Sequence, residues 1–500
     1  MKDIVFDFPL FTIILPLLGA VICSVAGKKV SKYVYFAVSL ICAALSVPVL
    51  LYTLENGYFT RAMGHFAAPF GNEIRVGTAE VLFTLLAVLL PALSVLGGKR
   101  RLMEDISEKK INFYFVMLCL LQSAITALAY TNDLFTAYVF IEISTLTSCG
   151  LLMIRQIGRT TVAAVRYMIF NLLGSGFVLM GICMLYDLTG YLSMSYIKEA
   201  VADIAATGKY TVPLTAAVGL IVIGIGMKSG MFPFHLWMPD TYSTSTTASA
   251  CILSGLVSKG YIFLLIKIIY RVIGFDVMEG TGVPLVIFVF GLAGMIVGSL
   301  GAIRENEIRR MIAYSSAAQI GYIYMGIGIG GPAAQAAVAA AVFHIFTHAL
   351  TKPLLFISAS GLSQASGGEV KFAALQGSAH RNPIAGAAFT VGALSMVGMP
   401  GFAGFISKLL FAQAAVASDN RAIITLSVLA ISTILNAIYF LRTTMRIYLP
   451  SAEPRQNTSV YKNGTAFVFA CAVLTAFNVF LGMHSQPILD MINAGIETLA

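Results

Sequence analysis

The stretch 212–236, VPLTAAVGLIVIGIGMKSGMFPFHL, decides the class of fold. It has the length of a helix that crosses a bilayer, for which about 20 apolar residues are needed. It also contains Lys228 and the helix breakers Gly230 and Pro233. A lysine near the middle of a bilayer costs about 2.5–3.5 kcal/mol on insertion scales, so such a residue is a functional candidate. Because a broken membrane helix leaves backbone groups that need protein or water partners, the stretch is typical of a helix that lines a cavity.

The composition of the whole chain places this stretch in a membrane protein. Of 500 residues, 58% are hydrophobic and only 11% are charged, whereas about 25% are charged in ordinary soluble domains. The mean hydropathy of +0.86 agrees. The apolar runs do not alternate with polar residues, so helices rather than barrel strands are predicted. The net charge of +9 lies in short clusters between apolar runs, which favours loop anchors and not nucleic-acid binding.

Apolar runs bounded by charged or turn residues predict an all-α polytopic fold of about 14 transmembrane helices. The runs are 4–26, 31–54, 77–97, 111–130, 132–154, 161–188, 212–236, 241–273, 283–303, 308–330, 333–361, 384–414, 421–449 and 464–485. Acidic residues precede the first run and lysines follow it, the reverse of a cleaved signal peptide, so it is predicted to stay as a span. The longest loops, 55–76 and 189–211, leave no room for a soluble domain.

Lysine and arginine are distributed unevenly between the two sides of this topology. Loops that follow odd-numbered runs hold 20 of them, Arg455 included, and the opposite loops hold seven. Because cytoplasmic loops carry the excess of basic residues, both termini are predicted on the non-cytoplasmic side of a cell membrane.

Five lysines and one acid fall inside the runs instead of in loops: Lys228, Lys259, Lys267, Lys352, Lys408 and Glu142. Lys267 lies near the end of its run and is expected to snorkel to the surface. A carboxylate buried alone is costly, so Glu142 is predicted to pair with Lys228. The acid favours the charged lysine and the apolar surroundings favour the neutral one, which indicates electrostatic control of a proton.

A second broken helix accompanies Lys408, where Gly398, Pro400, Gly401 and Gly404 interrupt run 12. Runs 7 and 12 are five helices apart and cross in opposite directions. Runs 4–8 and 9–13 are therefore predicted to form two inverted five-helix repeats, an arrangement found in transporters. The predicted domains are 1–110 with three helices, 111–273 and 283–449 with the repeats, and 450–500 with a last transmembrane helix.

His344, His348 and Lys352 follow one another at intervals of four, so they share one helix face. Such a stripe suits proton transfer through water. Metal binding is the rival interpretation, but no Glu, Asp or Cys accompanies the histidines at ligand spacing. All seven cysteines lie in apolar runs with no Cys-x-x-Cys pair. No metal, haem, iron–sulfur cluster or other cofactor is therefore predicted.

Four motifs closely resemble the antiporter-like subunits, the large membrane subunits of respiratory complex I, Mrp-type Na⁺/H⁺ antiporters and membrane-bound hydrogenases. They are 226–240 (GMKSGMFPFHLWMPD), 309–321 (RRMIAYSSAAQIG), 348–356 (HALTKPLLF) and 398–408 (GMPGFAGFISK). The resemblance runs from about 110 to 415.

The resemblance implies 14 helices with two inverted bundles and a chain of protonatable residues and water across the membrane midplane. It assigns that proton relay to Glu142, Lys228, Lys259, His348, Lys352 and Lys408. It implies other membrane subunits as partners, protons as cargo, and no redox centre in this chain. Whether Na⁺ is carried is left open.

Three departures from the family pattern are present. Pro353 stands where many members have alanine and is expected to bend run 11. The stretch before Lys259 lacks a histidine found in some members, and the chain ends soon after run 14; these two departures favour an Mrp D-like or hydrogenase-associated subunit.

Two other functions remain as alternatives at this point. One is a stand-alone transporter of a small solute, whose polar residues would converge on one pocket. The other is a membrane redox subunit that binds its own cofactor. The spread of polar residues over five runs disfavours the first, and the placement of cysteine and histidine disfavours the second.

Overall fold

The computed structural model describes residues 2–64, 66–418, 420–450 and 461–499. Nearly all secondary structure in these residues is helical, and their only sheet is a hairpin of β1 (Phe59–Ala62) and β2 (Glu73–Val76). The strands pair antiparallel, with Phe59 opposite Val76. The predicted all-α membrane fold is confirmed.

Helices of the first half differ widely in length. They are α1 (Lys2–Val5), α2 (Phe8–Val25), α3 (Lys28–Asn56), α4 (Thr78–Asp105), α5 (Ile111–Tyr130), α6 (Leu134–Met153), α7 (Gly158–Thr189), α8 (Met194–Thr207), α9 (Thr211–Ser229), α10 (Met238–Thr244), α11 (Thr247–Ile252) and α12 (Ser258–Ile268). Two π-helical turns, Leu253–Val257 and Ile269–Ile273, join α11 to α12 and extend α12. The continuous helix 247–273 that results is called the central rod below.

The helices of the second half also differ widely in length. They are α13 (Phe275–Gly280), α14 (Val283–Arg304), α15 (Ile308–Ile327), α16 (Ala334–Gln364), α17 (Ser378–Arg381), α18 (Pro383–Val397), α19 (Ala403–Val416), α20 (Ala422–Tyr448), α21 (Thr465–Met483) and α22 (Gln486–Leu499). Short 3₁₀ turns span Glu108–Lys110, Phe234–Trp237 and Gly331–Ala333.

Twelve of the described helical segments are long and apolar enough to cross a membrane. The broken pair α18 and α19, of 15 and 14 residues, is shorter, and α15 carries Arg309 and Arg310 in its first turn. These three helices cover the predicted runs 308–330 and 384–414. The chain is a multi-pass membrane protein, and both the number of 14 crossings and the inverted repeat stay predictions.

The predicted loops contain structure that hydropathy did not reveal. The stretch 55–76 holds the β-hairpin, and 189–211 holds α8. After α21 the chain forms a further helix, α22, which buries Leu489, Ile492 and Ile496. The segment 450–500 thus contains a second, shorter helix besides the one that is long enough to cross a membrane. Residues 451–460, including Arg455, lie outside the described residues.

Contacts between distant loops define two opposite faces. On the basic-rich face, Arg155 contacts Asp105 at 2.9 Å, and the backbones of Glu307 and Lys371 form an isolated antiparallel β-bridge. On the basic-poor face, Arg61 contacts Asp7 at 2.9 Å. The β-hairpin joins that same face through a bridge between Ile74 and Thr131. Loops assigned to one side by the charge count therefore meet one another in space.

The central rod is the most enclosed segment of the fold. All residues of its most apolar stretch are buried inside the protein, because α4, α5, α9 and α16 pack around it. A helix surrounded in this way can be apolar all round. The rod consequently holds Lys259 among other helices and away from lipid.

Candidate functional site: a buried row of lysines, histidines and one glutamate

The first end of the site is the predicted pair of Glu142 on α6 and Lys228 on α9. The Lys228 Nζ lies 3.8 Å from Glu142 Oε1 and donates a hydrogen bond to Thr145 Oγ1 at 2.8 Å. Ser175 on α7 donates to Glu142 Oε1. The lysine is fully enclosed, whereas the Glu142 side chain is 23% exposed. The pairing predicted from sequence is present, and each of its two members also bonds to a neighbouring hydroxyl group.

Backbone geometry explains how Lys228 reaches this place. Gly174 of α7 and Gly224 of α9 pack so closely that a Cβ on Gly174 would lie 2.7 Å from the Gly224 carbonyl oxygen. α9 then ends at Ser229, and Gly230 takes a φ of +81°, which glycine adopts without strain. Lys228 therefore stands in the last helical turn before the predicted break.

Tyr261 connects this end to the central rod. Its hydroxyl lies 2.9 Å from Ser144 Oγ and 3.4 Å from Thr145 Oγ1. The Lys228 ammonium lies 5.5 Å from the centre of the Tyr261 ring. Sequence reasoning missed this residue, although Tyr261 is only two positions after Lys259.

Lys259 lies at the middle of the site with no exposed surface. Its ammonium donates to the Ser254 carbonyl oxygen inside the π-helical turn 253–257. π-helical turns loosen the regular ladder of backbone bonds and occur often at functional sites. Ser254 also lies 2.9 Å from Ser316 of α15, which carries the polar path toward the second half of the chain.

Three predicted residues of α16 follow on one buried face. Lys352 donates to the Ile312 carbonyl oxygen at 3.0 Å and to Ser315 Oγ. The rings of His344 and His348 lie 6.2 Å apart. His348 is near enough to Lys259 and Lys352 to interact with them electrostatically. The expected bend at Pro353 does not end the helix, which continues to Gln364.

Neither nitrogen of His348 has a hydrogen-bond partner within the described ranges, and His344 Nε2 also lacks one. Buried polar atoms of proteins usually bond to protein or to ordered water. The other nitrogen of His344, Nδ1, lies 3.0 Å from Ser407 Oγ on α19. The two histidines therefore offer bonding capacity between the middle of the site and its second end.

The second end is Lys408 on α19, which folds back across the break between α18 and α19. Its ammonium donates to the carbonyl oxygens of Met396 and Val397 at 3.1 and 2.8 Å, and lies 3.3 Å from Thr433 Oγ1. These carbonyls end α18, where a cation is favourable. Gly398 permits the fold-back, since its φ is +89° and a Cβ there would lie 2.9 Å from Lys408 Cδ.

Tyr322 of α15 brings the second end together with the histidines. Its ring stacks on His344 with centroids 5.6 Å apart, and the Lys408 ammonium lies 5.5 Å from the same ring. The structure thus places all six predicted residues inside one bundle of packed helices. Glu142, Lys228, Lys259, Lys352, His348 and Lys408 are called the buried row from here on.

Comparison with known proteins identifies the family of this chain. Residues 131–434 match the family described as NADH:quinone oxidoreductase/Mrp antiporter, TM, a range that contains the whole buried row. The chain belongs to this family. It is 30% identical to NADH-quinone oxidoreductase subunit N of Desulforudis audaxviator (strain MP104C), over 88% of this chain and 86% of that protein.

An antiporter subunit and a chain of an Mrp complex also match this family member. The D-type Na(+)/H(+) antiporter subunit of Alkalihalophilus pseudofirmus (strain ATCC BAA-2126 / JCM 17055 / OF4) is 25% identical over 93% of this chain and 90% of that protein. A chain in the structure of the Mrp complex from Dietzia sp. DQ12-45-1b superposes with a TM-score of 0.87 at 23% identity, covering 99% of this chain and 97% of that one. The resemblance found in the sequence is confirmed.

One expectation about buried charge in this antiporter-family chain is wrong. Lys267 does not snorkel but is fully enclosed, and it donates to the carbonyl oxygens of Ala129 and Thr131 at 2.5 and 2.8 Å. These carbonyls end α5, so a cation is favoured there. The lysine turns inward because the central rod is surrounded by helices even near its end.

Sequence reasoning also missed a second buried ion pair, in which Arg271 Nη1 lies 3.8 Å from Glu80 Oε1. Both side chains are about as buried as Lys228, Lys259 and Lys352, and more buried than Glu142. They were overlooked because each lies at the end of an apolar run. The spacing of Lys259, Lys267 and Arg271, in steps of eight and four on one helix, was the available signal.

The potential metal ligands among the described residues do not gather into a metal site. Among the described residues, no three His, Cys, Asp or Glu side chains lie close enough together to hold a metal ion. The cysteines are dispersed, and Cys183 is the exposed one.

Proposed function

We propose that this chain is an ion-translocating subunit of a larger membrane complex and that protons move through it along the buried row. The observation that carries the proposal is the placement of four lysines on four different segments, in a sequence that runs from Glu142 to Lys408. A charged side chain inside a membrane protein costs free energy, so its presence there indicates a function. A purely structural network would need ion pairs, whereas this row contains a single carboxylate.

The Glu142–Lys228 pair is the proposed control point. The carboxylate favours the charged form of Lys228, and enclosure by α7 and α9 favours the neutral form. At 3.8 Å the two groups attract each other without a direct hydrogen bond. A small displacement of Glu142, which keeps part of its surface exposed, would therefore change how firmly Lys228 holds its proton.

The middle of the row passes the proton between the two halves of the chain. Lys259 and Lys352 are within electrostatic range of each other, and neighbouring ammonium groups repel. This repulsion favours moving a proton onward over storing two. The hydroxyls of Tyr261 and Ser316 and the free nitrogens of His348 supply the bonding groups along the way, with water completing the distances that exceed a hydrogen bond.

The domain assignment made from the sequence becomes part of this proposal. Residues 111–273 and 283–449 are the two inverted halves of the pathway, 1–110 supports the first half, and the helices of 450–500 cover the other flank. Lys228 precedes one helix break and Lys408 follows the other. This arrangement suits one half serving each membrane face.

The parent complex is proposed by similarity to the named relatives. Similarity to the N-type subunit of an NADH-quinone oxidoreductase and to the D-type subunit of a Na(+)/H(+) antiporter supports membrane subunits as partners, and supports proton movement as the shared task. The basic-rich face is proposed to be cytoplasmic, with both termini opposite. Impermeant labelling of one cysteine introduced at position 100 or 205 distinguishes the two orientations.

A stand-alone solute transporter and a redox subunit with its own cofactor are less well supported. The polar groups lie along α6, α9, the central rod, α16 and α19 instead of converging on one ligand pocket. The exposed apolar surfaces of α3, α7 and α20 suit lipid and neighbouring subunits.

Lys259→Met tests the proposed function, because both halves of the pathway depend on that lysine. Drive-dependent proton movement is measured as a pH change in inverted vesicles that contain the complete complex. We expect a loss of about 10²-fold or more, the typical contribution of a positioned acid–base group, at normal subunit abundance. Lys109→Met is the matched control, since Lys109 is exposed on the basic-rich face. Wild-type transport by Lys259→Met would contradict the proposal.

A further inference from the structure

The central rod continues beyond Lys259 with a second set of buried cations. Phe263, Lys267 and Arg271 follow Lys259 at intervals of four residues and so lie along one side of the rod. Lys267 and Arg271 are both almost completely buried. This stripe leads from the buried row toward the β-hairpin on the basic-poor face.

Two aromatic rings separate this stripe from the row. Phe263 of the rod stacks on Phe83 of α4, with ring centroids 4.6 Å apart and planes 2° from parallel. Both rings are buried. They stand one turn beyond Lys259 and one turn before Lys267, and they present no hydrogen-bonding atoms. In hydrophobic constrictions of this kind, water and ions are excluded until the constriction opens.

Beyond the rings lies a polar group of side chains, called the outer cluster here: Glu80, Lys267, Arg271, Asn132 and Glu73. Glu80 lies near enough to Lys267 to interact electrostatically and pairs with Arg271 at 3.8 Å. Arg271 donates to Asn132 Oδ1, and Asn132 donates to Glu73 Oε1. Glu73 belongs to β2 and is partly exposed. The outer cluster thus extends from the rings to the surface of the basic-poor face.

Several buried polar atoms in and beside the outer cluster lack a protein partner. Among the described residues, Nε of Arg271 and the hydroxyls of Thr84 and Tyr130 are buried and make no hydrogen bond of regular geometry. Thr84 follows Glu80 by one turn on α4, and Tyr130 is in electrostatic range of Glu80. Buried atoms of this kind are the usual binding sites of internal water.

We propose that the outer cluster is the outlet through which the buried row exchanges protons with the basic-poor face. Lys267 is the proton carrier of this outlet, and the stacked rings of Phe83 and Phe263 close it in this structure. The inference rests on the proposed function, because it supplies one of the two connections that a proton-conducting row requires. Nothing in the sequence motifs of the family pointed to these residues.

The chemistry of the outlet is a transfer of protons alone. When the rings separate, the Lys259 ammonium gives a proton through water to Lys267, which has become a neutral amine by releasing its earlier proton to the outer side, so that one N–H bond breaks and another forms. Lys267 then gives a proton to the Glu80 carboxylate or to water on the outer side. Glu80 passes its proton to water on the outer side, and Arg271, which keeps its own proton throughout, favours this release and repels protons from returning.

The ring pair is tested by removing one ring from the complete complex in inverted vesicles. Without any driving reaction, we expect Phe263→Ala to speed the collapse of an imposed pH gradient by roughly tenfold, because a hydrophobic constriction has been opened. Phe263→Leu is the matched control, since it keeps apolar bulk and should leave the gradient stable. A Phe263→Ala complex of normal abundance that holds the gradient as wild type does would overturn the gate.

The carrier role of Lys267 is separated from an anchoring role by Lys267→Arg. Arginine keeps the charge and the hydrogen bonds to the α5 carbonyls but does not release its proton near neutrality. An anchoring residue would therefore tolerate the change, whereas a carrier should lose about 10²-fold of drive-dependent transport. Wild-type transport by Lys267→Arg would overturn the outlet.

Lys259→Met, measured in the same vesicles, distinguishes this failure from a failure of the proposed function. If Lys259→Met is inactive and Lys267→Arg is normal, only the outlet is wrong. If Lys259→Met is active, the row itself is wrong. Should Lys267→Arg fail to assemble, the leak of Phe263→Ala decides on the outlet by itself.

Discussion

The two ends of the buried row hold their lysines in different ways. Lys228 faces the carboxylate of Glu142 at 3.8 Å, on a side chain that is partly exposed. Lys408 instead bonds to two backbone carbonyls at the end of α18 and to no acid among the described residues. Backbone carbonyls cannot change their charge and move only if the helix break itself moves. We therefore expect the Lys228 end to be adjustable and the Lys408 end to be fixed.

The difference follows from where each lysine stands relative to its helix break. Lys228 lies before its break, so the free carbonyl groups at the end of its own helix lie beyond it. The neighbouring α6 supplies its partner instead. Lys408 lies after its break and can reach back to the carbonyls that the break releases. Similar breaks can thus produce a charge-tuned site or a dipole-tuned site, according to which side of the break carries the lysine.

The largest effect is expected at the fixed end. Lys408→Arg keeps a cation that can bond to the Met396 and Val397 carbonyls, yet its guanidinium does not release a proton near neutrality. We expect assembly to remain normal and transport in inverted vesicles to fall by about 10²-fold or more. Lys408→Met should fail as well. If Lys408→Arg transports normally, Lys408 only anchors the helix break and does not carry a proton.

The adjustable end should reveal its pairing in stability. Glu142→Gln and Lys228→Met each leave one group of the pair without its partner, and each should lower the free energy of unfolding by about 1–3 kcal/mol. The double variant should be less unstable than the sum of the two singles, because both partners are then neutral. The measurement is the melting temperature of the purified complex. Strictly additive losses would mean that the two groups do not interact.

How much of this arrangement the sequence predicts depends on the contrast between a residue and its surroundings. Lys228, Lys259, Lys352 and Lys408 were predicted because a lysine stands out within an apolar run. Glu80 and Arg271 were missed because residues at the ends of runs resemble ordinary loop anchors.

Other features have no one-dimensional signal. The hydroxyl of Tyr261 and the ring of Tyr322 contact members of the row, but tyrosine is common in membrane helices and attracts no notice there. The π-helical turn beside Lys259 depends on packing around the central rod. The fold-back of Lys408 is a property of three-dimensional geometry, and the sequence predicted only the break that permits it.

A smaller effect should come from the hydroxyl group at the fixed end. Thr433 Oγ1 lies 3.3 Å from the Lys408 ammonium, a long contact that supplements two carbonyls. Thr433→Val removes it with little change of shape, and a single hydrogen bond contributes about 1 kcal/mol. We expect the initial transport rate to fall by no more than about fivefold, or roughly 1 kcal/mol. A complete loss would show that the carbonyls alone do not hold Lys408 in place.

The most direct test of the adjustable end is the initial rate of drive-dependent proton transport by Glu142→Gln. This substitution keeps the size of the side chain and its contact with Ser175 but removes the charge that acts on Lys228. The exposed Glu104, which pairs with arginines on the basic-rich face, provides the matched control Glu104→Gln. The account predicts a fall of about tenfold or more for Glu142→Gln, an unchanged rate for Glu104→Gln, and normal subunit abundance in both. A wild-type rate in Glu142→Gln would contradict it.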